Sequence, residues 1–221
     1  MKIGRFIKKF WNTLESYDGL TKIIFKNKIH YKLWDGTWDL TSLVLKKTID
    51  SDFDRNYKNY LDIGCGHVAL FGQYIKKKYP KTHVVSSDKY SNVINCAKKN
   101  ILKNKHKIDL IESNLFSNIL GKFDLITANL PYVPKKIKHG IKKGSVRYNS
   151  RYSGNDGTEL SWLFLKQVGS FLKPNGKVYF GVNCYYIKEE NCMQLIKKNN
   201  FKIRKIIKKK FNSARVFIIE K

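Results

Sequence analysis

Residues 126–134 read Ile-Thr-Ala-Asn-Leu-Pro-Tyr-Val-Pro, and they carry the strongest chemical signal in the chain. A primary amide or an exocyclic amine presents two N–H donors in one plane. The Asn129 side-chain oxygen offers one acceptor for such a group, and the Leu130 carbonyl offers a second. Pro131 fixes its own φ and holds Leu130 extended, which aims that carbonyl. Tyr132 supplies a flat aromatic face. A clamp of this kind holds a nitrogen and turns its lone pair toward an electrophile. A proline-stiffened strand-to-loop turn would use the same residues, but it leaves the cluster's place at the ligand end of a sheet unexplained.

A second constellation lies upstream, in Leu-Asp-Ile-Gly-Cys-Gly-His-Val-Ala-Leu at 61–70. Asp62 stands near a strand end. Gly64 and Gly66 let the backbone turn sharply and approach a ligand closely, ahead of a helix N-terminus. Many sheets use such glycines only to turn. Asp88 follows about 20 residues later, where a carboxylate can accept from both hydroxyls of a ribose. The full G-x-G-x-x-G spacing is broken by Ala69, which weakens an NAD-type dinucleotide without excluding it. Asn114, in Glu-Ser-Asn-Leu-Phe at 112–116, could pair with an adenine edge or simply open a loop.

These residues need a scaffold that gathers them, and the periodicity supplies one. Strands are expected at 60–64, 83–88, 107–113, 123–129 and 177–183. Helices are expected at 68–79, 92–103, 157–172 and 189–199, the third ending at Pro174 and Gly176. Strand–helix alternation of this length implies an α/β fold with a mostly parallel sheet covered on both faces. Two closing strands near 202–209 and 215–220 lack a helix between them and suggest an antiparallel hairpin at the edge. In a doubly wound sheet ligands bind beyond the carboxyl ends of the strands, where the unusual residues fall.

Residues 1–55 do not follow this pattern and read as a short N-terminal extension. Ile3, Phe6, Ile7, Phe10, Trp11 and Leu14 fit one face of a short helix, with packing on the chain's own domain favoured over a membrane or RNA. There is no signal-type apolar core and no run long enough to span a membrane.

The formal net charge of +27 admits contact with RNA or a ribosome. The cations are mostly lysines in an Asn- and Ile-rich chain, however, and an A+T-rich genome would give the same excess. The segment Lys202–Lys210 alternates like a strand with a wet lysine face. Cys65, Cys96, Cys184 and Cys192 form no C-x-x-C pair, and the five histidines are scattered. Reduced thiols, a cytoplasmic protein and no metal site are expected.

With those residues in hand, the sequence resembles the class I S-adenosylmethionine-dependent methyltransferases. Within them it resembles the HemK/PrmC-type protein-glutamine N5-methyltransferases. That family has Asn-Pro-Pro-Tyr where this chain has Asn129-Leu130-Pro131-Tyr132. Its Gly-Gly-x-Asp-Gly segment resembles Tyr-Ser-Gly-Asn-Asp-Gly-Thr-Glu-Leu at 152–160, and its next strand approach is matched at 172–180. The resemblance implies a Rossmann-like, seven-stranded methyltransferase domain over 56–221 and S-adenosylmethionine as cofactor.

By this resemblance Asp62, Gly64 and Gly66 border the methionine part and Asp88 holds the ribose. Asn114 stands beside the adenine, where the family usually has an acidic residue. Asn129 and Tyr132 hold the substrate amide, Asn129 also lying against the cofactor. Asp39, in 36–45, matches the Pro-x-x-Asp-Thr segment loosely. Leu130 replaces a proline and Val68 a common glycine.

The expected substrate is a glutamine in a release factor or ribosomal protein, with room for a small partner subunit. The rival readings are an RNA methyltransferase acting on an exocyclic base amine and a non-catalytic binding relative. Independently of the family, Asp156 with Glu159 reads as a capping box for the following helix.

Overall fold

The computed structural model describes residues 18–34, 37–137, 140–210 and 212–221. The apolar face proposed for residues 3–14 lies outside them. Helices α1 (Asp18–Phe25) and α2 (Leu40–Asp52) precede the first strand. Then follow β1 (Asn59–Ile63), α3 (Leu70–Lys78), β2 (His83–Asp88), α4 (Ser91–Lys103), β3 (Asp109–Glu112) and β4 (Phe123–Ala128). The short α5 (Val146–Asn149) and α6 (Glu159–Val168) lead to β5 (Leu172–Asn183), α7 (Glu189–Lys198), β6 (Lys202–Lys208) and β7 (Ala214–Glu220).

The seven strands order as β3-β2-β1-β4-β5-β7-β6. The first five run parallel, and β7 runs antiparallel to β5 and to β6. The chain builds β1, β2 and β3 outward to one side, then returns to lay β4 on the other flank of β1. That reversal opens a crevice at the carboxyl ends of β1 and β4, the usual ligand position in such sheets. The closing hairpin inserts β7 into the sheet and leaves β6 at the edge, with Lys202, Arg204, Lys205 and Lys208 exposed. A charged edge strand resists pairing with other chains.

Strand side chains alternate between two apolar layers, as the period of 2 requires. Leu61, Ile63, Ile126, Val178, Phe180, Phe217 and Ile219 face α6 and α7, where Phe164, Leu165, Val168 and Ile196 meet them. Tyr60, Leu125, Tyr179, Val216 and Ile218 face the other side, against Val44, Leu45 and Ile49 of α2 and Phe71, Tyr74 and Ile75 of α3. The described part of residues 1–55 is thus built into the core. The fully buried Asn100 of α4 pins it further: its Oδ1 accepts from the His30 and Tyr31 amides at 2.8 and 3.1 Å, and its Nδ2 donates to the His67 carbonyl at 3.2 Å.

The largest departures from the expected boundaries fall around the start of β5, while other elements shift by one or two residues. The helix expected to reach residue 172 stops at Val168 and closes with a tighter turn over Gly169–Phe171. Residues 172–176 belong to β5. Leu172 already pairs with Phe123, and Lys177 pairs with Leu125, so Lys173–Gly176 bulge out within the strand. Asn175 takes a φ of +61°, and a side chain at Gly176 would meet the Phe123 carbonyl at 2.9 Å. Proline and glycine here mark a bulge rather than a break.

Candidate active site

A cleft of about 1380 Å³ opens at the carboxyl ends of the parallel strands. It exceeds the ~300–1,000 Å³ usual for one small ligand. Asp62, Gly64, Gly66, Asp88, Asn114, Asn129, Leu130, Pro131 and Tyr132 all line it. The sheet therefore gathers every candidate site residue from four separate strand ends.

The loop after β1 is folded onto the end of β2. Gly64 and Cys65 both donate their amides to the Ser87 carbonyl at 2.9 Å. Gly66 donates to Asp88 Oδ2 at 3.1 Å, while Tyr90 donates to Asp88 Oδ1 at 3.3 Å. Asp88 thus anchors the glycine loop and keeps acceptor capacity toward the cleft. Burial pushes its carboxyl up, against those amide bonds. Gly66 has a φ of +67° and open space where a Cβ would stand, so a ligand can approach its backbone. Ala69, the residue that breaks the glycine pattern, adopts a φ of +49° and does the turning a glycine would do. Asn114 is exposed on the rim, its backbone amide bonded to Ser117 Oγ at 3.2 Å.

Asp62 is 2% exposed. Its Oδ1 accepts from the Thr127 hydroxyl at 2.8 Å, and Oδ2 has no partner. Burial pushes it up to about 7, with the Asp88 charge adding and the Thr127 bond opposing. His67 is buried too, edge-on to Trp34 at 4.3 Å, with Nε2 unpartnered. Burial, helped by the charge of Lys32, lowers it to about 4, so it is neutral near pH 7.

The segment after β4 is held from both sides. Asn129 Nδ2 donates to Asp39 Oδ1 and to Ser42 Oγ, each at 3.2 Å. Asn129 Oδ1 is buried without a partner. The Tyr132 hydroxyl donates to Asp39 Oδ2 and lies 3.0 Å from Thr41 Oγ1. Burial and the Asp39 charge push that phenol well above its ordinary range. Among the described residues no hydrogen bond ends on the Leu130 carbonyl. Neither of the two acceptors inferred from sequence has a hydrogen-bond partner among the described residues.

Asp39 is the N-cap of α2, with Ser42 completing a reciprocal capping box. The box inferred for Asp156 and Glu159 does not form. Asp156 Oδ1 instead accepts from the Thr158 amide and hydroxyl at 2.9 and 2.7 Å, and Thr158 is the cap position of α6. Glu159 is already helical and lies over Gly154. The orphan amide of Leu160 is taken by Ser153 Oγ at 2.8 Å. The two motifs are also zipped together: Val133 N donates to Arg151 O at 3.1 Å and Ser153 N to Val133 O at 3.0 Å.

Sequence reasoning missed Thr41, Ser42, His67, Thr127 and Arg151. The Asp-x-x-Ser spacing at 39–42 was a usable helix-start signal; nothing local marks the others. Among the described residues no His, Cys, Asp or Glu cluster suits a metal, and all four cysteines are free thiols. No described helix is long and apolar enough to cross a membrane.

A cleft at a topological switch point is where open α/β sheets bind their ligands, and the similarity to known proteins says which family this one belongs to. The family model for the methyltransferase small domain matches residues 34–144. The chain belongs to this family, within the class I S-adenosylmethionine-dependent methyltransferases, and S-adenosylmethionine is its cofactor.

A release factor glutamine methyltransferase of Flavobacterium psychrophilum is 29% identical over 172 residues, 75% of this chain and 59% of that protein. A Methanocaldococcus jannaschii protein, provisionally named a protein N5-glutamine methyltransferase, is 31% identical over 153 residues, 69% of this chain and 73% of that protein. A ribosomal RNA small subunit methyltransferase C of Pasteurella multocida is 36% identical over 72 residues, 33% of this chain and 22% of that protein. The chain spans 22% to 59% of the length of the first curated relatives it matches. Among solved structures, a methyltransferase from Pyrococcus furiosus shares the fold, with a TM-score of 0.68 at 22% identity over 98% of this chain and 96% of that one.

The residues present fit the cofactor. A backbone cradle stands open at Gly66, Asp88 retains lone pairs for hydroxyls, and the buried Asp62 Oδ2 lacks a partner.

Proposed function

We propose that this chain methylates the side-chain amide nitrogen of a glutamine in a translation protein, a release factor or a ribosomal protein. The observation that carries this reading is the buried Asn129 oxygen, an acceptor without a partner on a residue that lines the cleft, next in the chain to a Leu130 carbonyl that accepts no hydrogen bond among the described residues. The names of the relatives from Flavobacterium psychrophilum and Methanocaldococcus jannaschii support it.

When bound, S-adenosylmethionine supplies a methyl group activated by its sulfonium. Gly64, Gly66 and Asp62 would border its methionine part, Asp88 its ribose and Asn114 its adenine. The remaining work is positioning. An amide nitrogen is a poor nucleophile because its lone pair is delocalised. Asn129 Oδ1 and the Leu130 carbonyl, accepting the two N–H groups, favour the charge that develops on nitrogen. Tyr132 and Pro131 fix the wall against which the planar group lies. Holding two partners in reactive geometry can supply about 7–11 kcal/mol. The proton then leaves the nitrogen to solvent after transfer.

The second reading is an exocyclic base amine of RNA, for which the same two acceptors serve. Two observations favour it: the +27 net charge and the match to the Pasteurella multocida protein. Methyl-tritiated S-adenosylmethionine incubated with a cell extract separates the two. Label released by protease and recovered as methylglutamine supports the first reading. Label released by ribonuclease replaces it with the second. No label in either, together with no calorimetric affinity for S-adenosylmethionine, removes both.

A further inference from the structure

Asn129 can clamp a nitrogen only if its carboxamide oxygen, not its NH2, is left free to accept from it. Nothing in the Asn129 side chain itself chooses between those two orientations, which differ by a half-turn of the amide. The choice is made by α2. Asp39 Oδ1 is an acceptor only. Ser42 Oγ donates its single proton to that same Oδ1 at 2.9 Å and accepts the Asp39 amide at 3.2 Å, so toward Asn129 it too is an acceptor. Both groups around Asn129 Nδ2 therefore demand a donor. Turning the amide over would set its oxygen against a carboxylate. The other carboxylate oxygen takes the Tyr132 hydroxyl, which ties the aromatic wall to the same group.

We infer that Asp39 is a positioning residue: it locks the Asn129 amide with its NH2 on α2 and its oxygen left without a protein partner, and so makes the site select a nitrogen that carries hydrogens. This goes beyond a place against the cofactor. It rests on the methyl-transfer reading only for its turnover arm.

Asp39→Asn tests it. Asparagine caps a helix as well as aspartate does, so the fold is kept. It has only one acceptor oxygen, however, and cannot serve Asn129 and Tyr132 together. In 15N-labelled protein the Asn129 side-chain amide signals are assigned by their loss in Asn129→Ala. In Asp39→Asn their exchange with solvent should be at least tenfold faster. Affinity for S-adenosylhomocysteine by calorimetry should stay within threefold. Methyl transfer to the extract fraction that wild type labels should fall at least tenfold.

Unchanged amide exchange overturns the proposal, as does turnover within twofold of wild type. Loss of cofactor affinity in step with turnover also overturns it, since Asp39 would then be acting on the cofactor. The exchange arm needs no activity, so failure of methyl transfer in wild type would count against the proposed function and not against the lock.

Discussion

Gly157 runs so close to the Tyr132 carbonyl that a Cβ on it would lie 2.2 Å from the oxygen, at a φ of +89°. The glycine segment at 154–157 is thus a brace for the wall of the cleft. Gly157→Ala must both strain the backbone and push Tyr132 away. A loss of about 2 kcal/mol or more in urea unfolding is expected, with methyl transfer falling further than stability does. Gly144→Ala is the control. It has a comparable φ of +80° but nothing within 4 Å of the added methyl, so only the left-handed cost of about 1–2 kcal/mol should appear. Equal losses at the two positions would show that the Tyr132 contact contributes nothing.

Asn129→Ala removes the unpartnered oxygen and leaves the glycine loop untouched. Cofactor affinity by calorimetry should remain within about threefold of wild type. Turnover on the labelled extract fraction should drop about 10²–10³-fold, the usual effect of deleting one oriented hydrogen-bonding group. Near wild-type transfer by this variant would mean that the nitrogen is held elsewhere.

The parts of this site that were legible in the sequence are those where one short segment carries both the chemistry and its own geometry. Asn129 to Tyr132 need only a proline and a preceding strand. Asp62, Gly64, Gly66 and Asp88 need only two strand ends. What joins them was not legible, because it is made by partners distant in the chain. Asp39 reaches Tyr132 across 93 residues and Thr41 reaches it across 91. Such pairings exist only once α2 has packed on β5 and β7.

Gly181, on β5, lets Thr41 in: a Cβ there would stand 2.8 Å from the threonine methyl. No local pattern announces that a strand glycine serves a helix 140 residues away in the chain. The misplaced start of β5 has a different origin. Pro174, Asn175 and Gly176 break helices and turn chains in most settings. Here the same properties are used for a bulge inside a strand, and only the pairing with β4 distinguishes the two cases.

Asp62 makes a pH prediction whose sign follows from its burial. Its folded value is raised from 3.8 to about 7, so the folded protein prefers it protonated. The associated stability is fully present below the unfolded value and is lost as pH rises through about 7. The full swing is about 4 kcal/mol, as an order of magnitude. Asp62→Asn cannot titrate and keeps a group able to accept the Thr127 hydroxyl. Urea unfolding at pH 4.5 and pH 7.5, without cofactor, should show wild type losing ground to Asp62→Asn at the higher pH. A difference independent of pH would mean that the carboxyl is solvated in the cleft.

His67 predicts the opposite slope within the same window, so each is read against its own non-titrating variant. Its folded value is depressed from 6.5 to about 4, because the imidazole is buried against Trp34 with no acceptor for a second proton. The folded state then prefers it neutral. That contribution is fully present above pH 6.5 and is lost as pH falls toward 4, by about 3 kcal/mol in all. The His67 ring signals followed by NMR should not move between pH 8 and pH 5. His67→Phe keeps a ring beside Trp34 and cannot be charged, so wild type should weaken relative to it only below pH 6.5. An imidazolium at pH 6 would show that water or an acidic group reaches Nε2, and the floor of the cleft beside the glycine loop would then be wet.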